Sequence, residues 1–247
     1  MARPHRFQIG GLFAATVLTT SALVLAQAPA PADAAAALKQ SLAANQAALK
    51  TYSWVETTTI SLKGEVKKQE QKNCYYGADG KVQKTPVPGA AAAPKQEAKS
   101  DGGGRRGGGR MKERIVENKV EELTEYMQKA AALVGEYVPP EAPKIQAAQA
   151  AGHFSVKPAS GTVMHMTATD YVKAGDTLTI GIDSASKQLT EYNVKSYVEK
   201  PKDDDLTLNV TFGRLQDGTS YPQQIVLDVK AKNVQVKVVN SGYKKAS

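Results

Sequence analysis

The stretch LTLNVTFGRLQDGTSYPQQIVLDVKAKNVQVKVV, residues 206–239, decides the fold class of this chain. At its start, large apolar residues alternate with Thr207, Asn209 and Thr211. A period of two is typical of a strand with one buried and one solvated face. The segments LQDGTSYP and KAKN are rich in turn-forming residues and separate this strand from two more. The stretch therefore predicts antiparallel strands at 206–212, 223–229 and 233–239.

The same period recurs over most of the remaining chain. It predicts six further strands, at 52–62, 66–76, 82–87, 161–168, 176–182 and 188–198. Apolar residues at helical spacing predict helices at 33–51, 116–137 and 142–151. Because helices and strands occur in blocks, without βαβ alternation, we expect one α+β domain over residues 38–247. The number of strands predicts a single strongly curved antiparallel sheet, a half-barrel, with the helices covering one face.

Residues 1–26 have the pattern of a secretory signal peptide. Arg3 and Arg6 precede the apolar run IGGLFAATVLTTSALVLA, and its last residues fit the small-residue requirement of signal peptidase. The alternative is an uncleaved membrane anchor, which the glycines and threonines of the run disfavour. We therefore expect cleavage after Ala26, an Ala/Pro tether at 27–37 and a soluble mature protein in the periplasm.

Charge and cysteine content limit the mature protein in two ways. The chain has 32 basic and 24 acidic residues; loss of Arg3 and Arg6 leaves 30 against 24, a net charge of +6. Cys74 is the single cysteine, so no internal disulfide can form. We expect Cys74 to be an ordinary strand residue, and the alternative is a reactive or intermolecular thiol.

Residues 88–110 differ in composition from everything around them. This Ala-, Gly- and Pro-rich segment has almost no large apolar residue, which predicts a flexible loop. It contains Arg105, Arg106 and Arg110 among glycines. Such arginines can contact nucleic acid, but export argues against that partner. We expect either no partner or a transient contact with an anionic membrane surface.

The sequence lacks recognisable catalytic and metal-binding motifs. The mature chain has two histidines, His153 and His165, and neither stands at a close ligand spacing. The acidic triplet at 203–205 lacks the alternate-position oxygens of a calcium loop. We expect no catalytic residue, no metal and no cofactor. A hydrolase with an unfamiliar fold is the alternative.

Three stretches carry a resemblance to a known family. They are LKQSLAANQAALKTYSW at 38–54, IDSASKQLTEYNV at 182–194 and LQDGTSYPQQIVL at 215–227. With the leader and the order of elements, they resemble the periplasmic lipoprotein-carrier (LolA-like) superfamily over residues 33–245. This resemblance implies a half-barrel whose concave apolar face, covered by helices, holds acyl chains or another lipid-like ligand.

These observations predict a non-enzymatic, monomeric periplasmic protein that binds a hydrophobic ligand, such as the acyl chains of lipoproteins, between sheet and helices. Apolar residues on the inner strand faces would line the cavity: Trp54, Ile60, Leu178, Ile180, Leu208, Val210 and Phe212. The competing hypothesis is a structural or interaction protein of the envelope. In that case the sheet would be fully packed and the loop at 88–110 would recruit the partner.

Overall fold

The computed structural model describes residues 32–88 and 109–245, which form ten strands, three α-helices and a short 3₁₀ turn at Lys230–Lys232. The helices are α1 (Ala32–Leu49), α2 (Gly109–Tyr137) and α3 (Ala142–Ala150). The strands are β1 (Tyr52–Leu62), β2 (Glu65–Tyr76), β3 (Val82–Pro86), β4 (Phe154–Pro158), β5 (Val163–Thr169), β6 (Thr177–Asp183), β7 (Gln188–Tyr197), β8 (Asp205–Arg214), β9 (Ser220–Val229) and β10 (Val234–Lys245). The predicted leader lies outside the described residues.

All ten strands form one antiparallel sheet in the order β3-β2-β1-β10-β9-β8-β7-β6-β5-β4. Every neighbour is a hairpin partner in sequence except β1 and β10, which pair from Tyr52↔Lys245 to Leu62↔Val234. This one long-range pairing joins the three-stranded ribbon that begins the domain to the seven-stranded ribbon that ends it. The predicted α+β class with a single antiparallel sheet is confirmed.

One face of the sheet, which we call the inner face, packs against helices. Leu178, Val194, Leu208 and Leu227 lie side by side on neighbouring strands and are at most 2% exposed. They belong to a core that includes five buried side chains of α2, namely Tyr126, Met127, Ala130, Val134 and Tyr137. Burial of each large apolar side chain contributes about 1.5–3 kcal/mol, so this core supplies much of the stability of the fold.

A buried hydrogen-bond network fixes the end of α2. The Tyr137 hydroxyl donates to Asp176 Oδ2 at 2.5 Å and lies 2.8 Å from the Ser196 hydroxyl. Asp176 also accepts the backbone N–H groups of residues 171–173, at 2.6–2.9 Å. The network therefore joins the helix to the β5–β6 turn and to β7.

Three sequence predictions need correction. The predicted half-barrel is wrong, because the sheet is neither closed nor strongly curled and ends in two separate edge strands, β3 and β4. A sheet with this many strands can flatten instead of curling. β4 was not predicted, because a five-residue edge strand with an exposed Val156 has little alternation to detect. α2 begins at Gly109, before its predicted start at residue 116, whereas α1 begins at Ala32, one residue from its predicted start.

Candidate functional site

The seven predicted cavity residues fall into two groups. Leu178, Ile180, Leu208 and Val210 are at most 3% exposed and belong to the core beneath α2. Ile60 and Phe212 are half-buried and pack against that core. Trp54 is buried, but it lies in a different cluster over the other half of the sheet. The structure thus does not bring the seven together around one point.

Trp54 is the centre of an aromatic cluster formed by Tyr52, Trp54, Tyr76, Tyr221 and Tyr243. Its indole stacks on Tyr243 with ring centroids 5.6 Å apart and an angle of 10° between the planes. Tyr76 lies 5.6 Å from the indole, and Tyr221 lies 4.4 Å from Tyr243. The indole Nε1 donates to Asn240 Oδ1 at 3.1 Å. These contacts fix the indole against β10, with its only polar atom satisfied.

Two hydroxyl groups of this cluster have no partner. Among the described residues, none forms a hydrogen bond with the hydroxyl of Tyr76 or Tyr243. Burial raises the pKa of both tyrosines above its ordinary value, so both hydroxyls stay protonated at neutral pH. Neither oxygen is among the fully buried side-chain atoms without a partner, so both hydroxyls can donate a hydrogen bond to solvent or to a ligand.

Next to the cluster, an ion pair lies on the inner face. Glu56 occupies the inner position of β1 that follows Trp54, and it is 2% exposed. Lys84 on edge strand β3 donates to its Oε1 at 2.8 Å and to its Oε2 at 2.9 Å. The side chain of Lys84 is 14% exposed. Removing two charges from water is unfavourable by several kcal/mol per ion, so such a pair needs this close geometry to form at all.

Cys74 lies between these two features. It is opposite Trp54 on β1 and opposite Lys84 on β3, and it is fully buried. Burial, with a smaller contribution from the Glu56 carboxylate, raises the pKa of the thiol to about 11. The thiol is therefore un-ionised and unreactive at neutral pH, as expected from its place on a strand.

Further charged residues continue along the inner side of β2. Lys68 lies 2.7 Å from Glu70, and Lys72 lies 3.6 Å from the same carboxylate. The pKa of Glu70 is lowered, mainly by its hydrogen bond with Lys68, so the carboxylate is ionised at neutral pH. In register, Lys72 faces Glu56 and Lys68 faces Ile60. The inner face thus changes from apolar under α2 to charged and aromatic over β1–β3. We call Glu56, Lys84, Lys72 and the aromatic cluster the inner-face site.

The sequence contained one signal for this site that the prediction missed. Every second residue of β1 from Tyr52 to Leu62 faces inward, and Glu56 is the single charged residue in that series. A carboxylate at a core-facing position requires a partner. The identity of that partner depends on the β2–β3 register that places Lys84 opposite Cys74, which the sequence does not specify.

The other polar residues considered from the sequence have ordinary structural roles. His165, on the opposite face of β5, hydrogen-bonds to Glu191. His153 lies 3.2 Å from Asp170 after the end of α3. Within the acidic triplet, Asp205 pairs with Lys230 at 2.9 Å. In the part of the chain that the structure describes, no group of three or more acidic, His or Cys side chains could hold a metal ion.

An open groove of about 300 Å³ lies at the hairpin ends of the sheet. Lys63, Gly64, Asp228, Lys230 and Asn233 contribute to its lining. Lys230 already pairs with Asp205, and Asp228 accepts from Gln235 at 2.9 Å, so its polar groups are satisfied locally. The groove has no converging free donors comparable with those of the inner-face site.

The predicted membrane-contacting arginines are only partly placed. Arg110 lies in the first turn of α2, not in a loop, because the helix begins at Gly109. Arg105 and Arg106 lie outside the described residues. Between 32 and 88 and between 109 and 245, no helix is long and apolar enough to cross a membrane.

No protein-family model and no curated protein matches this chain. Among solved structures, a DUF1329 family protein from Desulfovibrio piger is similar, with 8% sequence identity and a TM-score of 0.36. The similarity covers 85% of this chain and 92% of that protein. A similarity with so low a sequence identity and TM-score carries no information about the function of this chain.

Proposed function

We propose that this protein is an exported, non-enzymatic, monomeric protein that binds an amphipathic, lipid-like ligand at the inner-face site. The observation that carries the proposal is the buried Glu56–Lys84 pair beside two tyrosine hydroxyls without partners. A buried ion pair contributes little stability beyond that of apolar side chains of similar volume. Its burial at the border between the apolar part of the inner face and the charged part over β1–β3 therefore supports a role in binding.

The apolar part of such a ligand has a continuous surface next to the charged part. Along β1, the half-buried Ile60 and Leu62 follow Glu56 and Thr58 on the same face. Val236 and Val234 of β10 lie opposite Ile60 and Leu62, and both belong to the buried core that supports this apolar strip. The six steps from Glu56 to Leu62 span roughly 20 Å in a strand. That length is comparable with a long acyl chain, whose burial would be favoured by about 0.8 kcal/mol per methylene.

This proposal narrows the residues expected to contact ligand to Trp54 and Ile60 among the seven predicted ones. Leu178 and Ile180 on β6 and Leu208 and Val210 on β8 belong to the core that packs against α2, away from β1–β3, so they do not line the site. Phe212 lies at the margin of the core. The single antiparallel sheet with helices on one face agrees with a carrier of the LolA-like type. The acyl chains of lipoproteins are therefore one candidate ligand, with the arginines at 105, 106 and 110 as a transient membrane contact.

The chain offers a direct test, because Trp54 is its only tryptophan and lies in the proposed site. We expect a long-chain alkyl ligand to change the emission of Trp54 in a saturable manner. Native mass spectrometry of residues 27–247 from a periplasmic extract should then show a co-purifying ligand that denaturation releases.

A matched pair of variants makes this test specific. Ile60→Lys places a charge in the proposed apolar surface, and Val156→Lys places the same charge on exposed β4 at the far edge of the sheet. We expect only Ile60→Lys to weaken binding. A mass without ligand, together with unchanged Trp54 emission over the whole titration, would refute the proposed function.

The second candidate is an interaction protein of the envelope with a fully packed sheet. The tight core around Leu208 and Val210 favours it, because those side chains leave no exposed apolar surface. Under this hypothesis a partner would be captured by the full-length chain, and capture would be lost on deletion of residues 89–108. Trp54 emission would then be insensitive to alkyl ligands.

A further inference from the structure

We propose that the ligand of the inner-face site is a long-chain monoanion, bound through Lys72. This inference rests on the proposed function and specifies the chemistry of the polar end of the ligand. A long-chain carboxylate and a lipid phosphate ester share this chemistry.

The charges of the inner face do not balance. Among the described residues of β1–β3, three lysines face inward, at 68, 72 and 84, against two glutamates, at 56 and 70. One positive charge is therefore left without a carboxylate of its own. A monoanionic ligand would neutralise it, whereas a neutral or cationic amphiphile would not.

The contact distances identify Lys72 as that charge. Lys84 holds both oxygens of Glu56, and Lys68 lies 2.7 Å from Glu70. Lys72 shares Glu70 with Lys68 and has the longest contact, 3.6 Å. Lys72 lies on β2, where it faces Pro86 on β3 and Glu56 on β1, and Glu56 in turn faces Asn240 on β10. Apart from Glu56, which Lys84 already holds, these facing positions provide no anion for Lys72.

The surroundings of Lys72 favour recognition of a headgroup. Its side chain is 28% exposed, so it is partly shielded from water but still accessible. Cys74 and then Tyr76 follow it on the same face of β2, and the free Tyr76 hydroxyl can donate a second hydrogen bond to the anion. From Lys72, the chain of a bound ligand can extend towards Ile60, which lies two inner positions along β1 from Glu56.

The test uses mature full-length protein and four probes with the same alkyl chain: hexadecanoate, hexadecyl phosphate, hexadecanol and hexadecyltrimethylammonium. Binding is measured by Trp54 emission and by native mass spectrometry. We expect the two anions to bind about tenfold more tightly than hexadecanol, the change expected for one charge-assisted contact in a partly shielded site. Tighter binding of the phosphate than of the carboxylate would indicate a phospholipid-type headgroup.

Two substitutions on one strand assign the effect to Lys72. Lys72→Met should remove the preference for the anions over hexadecanol, and Lys72→Arg should retain that preference. Lys67→Met is the matched control, because Lys67 lies on β2 with an exposed side chain paired to Glu65. Equal affinity for anion and alcohol would overturn this inference and leave the proposed function intact. Failure of all four probes to bind would overturn both.

Discussion

Removal of the Lys84 ammonium group tests whether the Glu56–Lys84 pair is a true buried ion pair. Lys84→Met keeps most of the length of the side chain and removes its charge. Glu56, at 2% exposure, then has its closest remaining contact with the Thr58 hydroxyl, at 3.5 Å. A carboxylate in that position is poorly compensated, because the hydroxyl can replace neither the charge nor two hydrogen bonds of 2.8 and 2.9 Å.

The structure allows the magnitude to be estimated. Breaking a buried pair by removing one partner destabilises a protein by about 3–5 kcal/mol. Lys84 keeps 14% exposure, so water can partly relax around the site and the lower limit, about 3 kcal/mol, applies. For a domain of this size, that loss corresponds to a fall in Tm of about 6–12 °C. Because Glu56→Leu with Lys84→Met removes both charges, we expect the double variant to be within about 1 kcal/mol of the wild type.

Urea unfolding followed by circular dichroism would measure these differences. Lys67→Met is the control, since Lys67 and Glu65 are 43% and 68% exposed and a surface pair of this kind contributes about 0–1 kcal/mol. The reasoning is refuted if Lys84→Met unfolds within 0.5 kcal/mol of the control, the lower part of that range. It is equally refuted if the double variant is as unstable as the single one, because the loss would then not come from an unpaired Glu56.

Three further predictions concern groups outside the ion pair. With its pKa raised to about 11, Cys74 should resist alkylation by iodoacetamide at neutral pH in native protein and react rapidly in urea, as followed by mass spectrometry. Tyr137→Phe should destabilise the fold by about 1–3 kcal/mol in urea, because buried Asp176 loses a donor at 2.5 Å. The hydrogen bond from the Tyr52 hydroxyl, with smaller contributions from Thr219, lowers the pKa of Asp217. The ionised carboxylate therefore stabilises the fold above its unfolded pKa of about 3.9. This stabilisation is lost as the pH falls towards the lower pKa of the folded state. Asp217→Asn should therefore be less stable than the wild type at neutral pH, and the difference should shrink progressively as the pH falls below about 3.9, in unfolding curves over that range.

The sequence predicted the fold wherever a single face of an element is buried. The period of two in β8 and the three–four spacing in α2 both follow from one-sided contact with the core. The same reasoning missed β4, whose five residues lie at an open edge and include the exposed Val156. This reasoning also predicted a more strongly curved sheet than the structure has, because the number of strands alone does not determine whether a large sheet curls or flattens.

The candidate site was less predictable than the fold because its residues lie on different strands. The pairing register between those strands determines which of these residues are in contact. Glu56 was recognisable as a charge in an inward series of β1, but Lys84 lies 28 residues away on a separate strand. Tyr243 contacts Trp54 only because β10 pairs with β1. These two strands lie at opposite ends of the described domain in sequence. Trp54 was predicted as a ligand contact because it is an apolar residue on one face of a strand, whereas its neighbours could be identified only from the sheet order.

Two buried polar networks among the described residues, one around Tyr137 and one around Glu56, differ in what they connect. The network around Tyr137 and Asp176 joins α2 to a turn and to β7, and it satisfies backbone groups that would otherwise be unpaired. Its structural purpose is visible in its contacts. The Glu56–Lys84 pair joins β1 to β3, and backbone pairing through β2 already holds these strands together. Because the pair adds no new connection between strands, the proposed function attributes its presence to ligand binding, and replacement by two apolar side chains is expected to be nearly neutral for stability. The Glu56→Leu, Lys84→Met double variant separates the two explanations: it should stay folded, and its binding of long-chain anions should weaken.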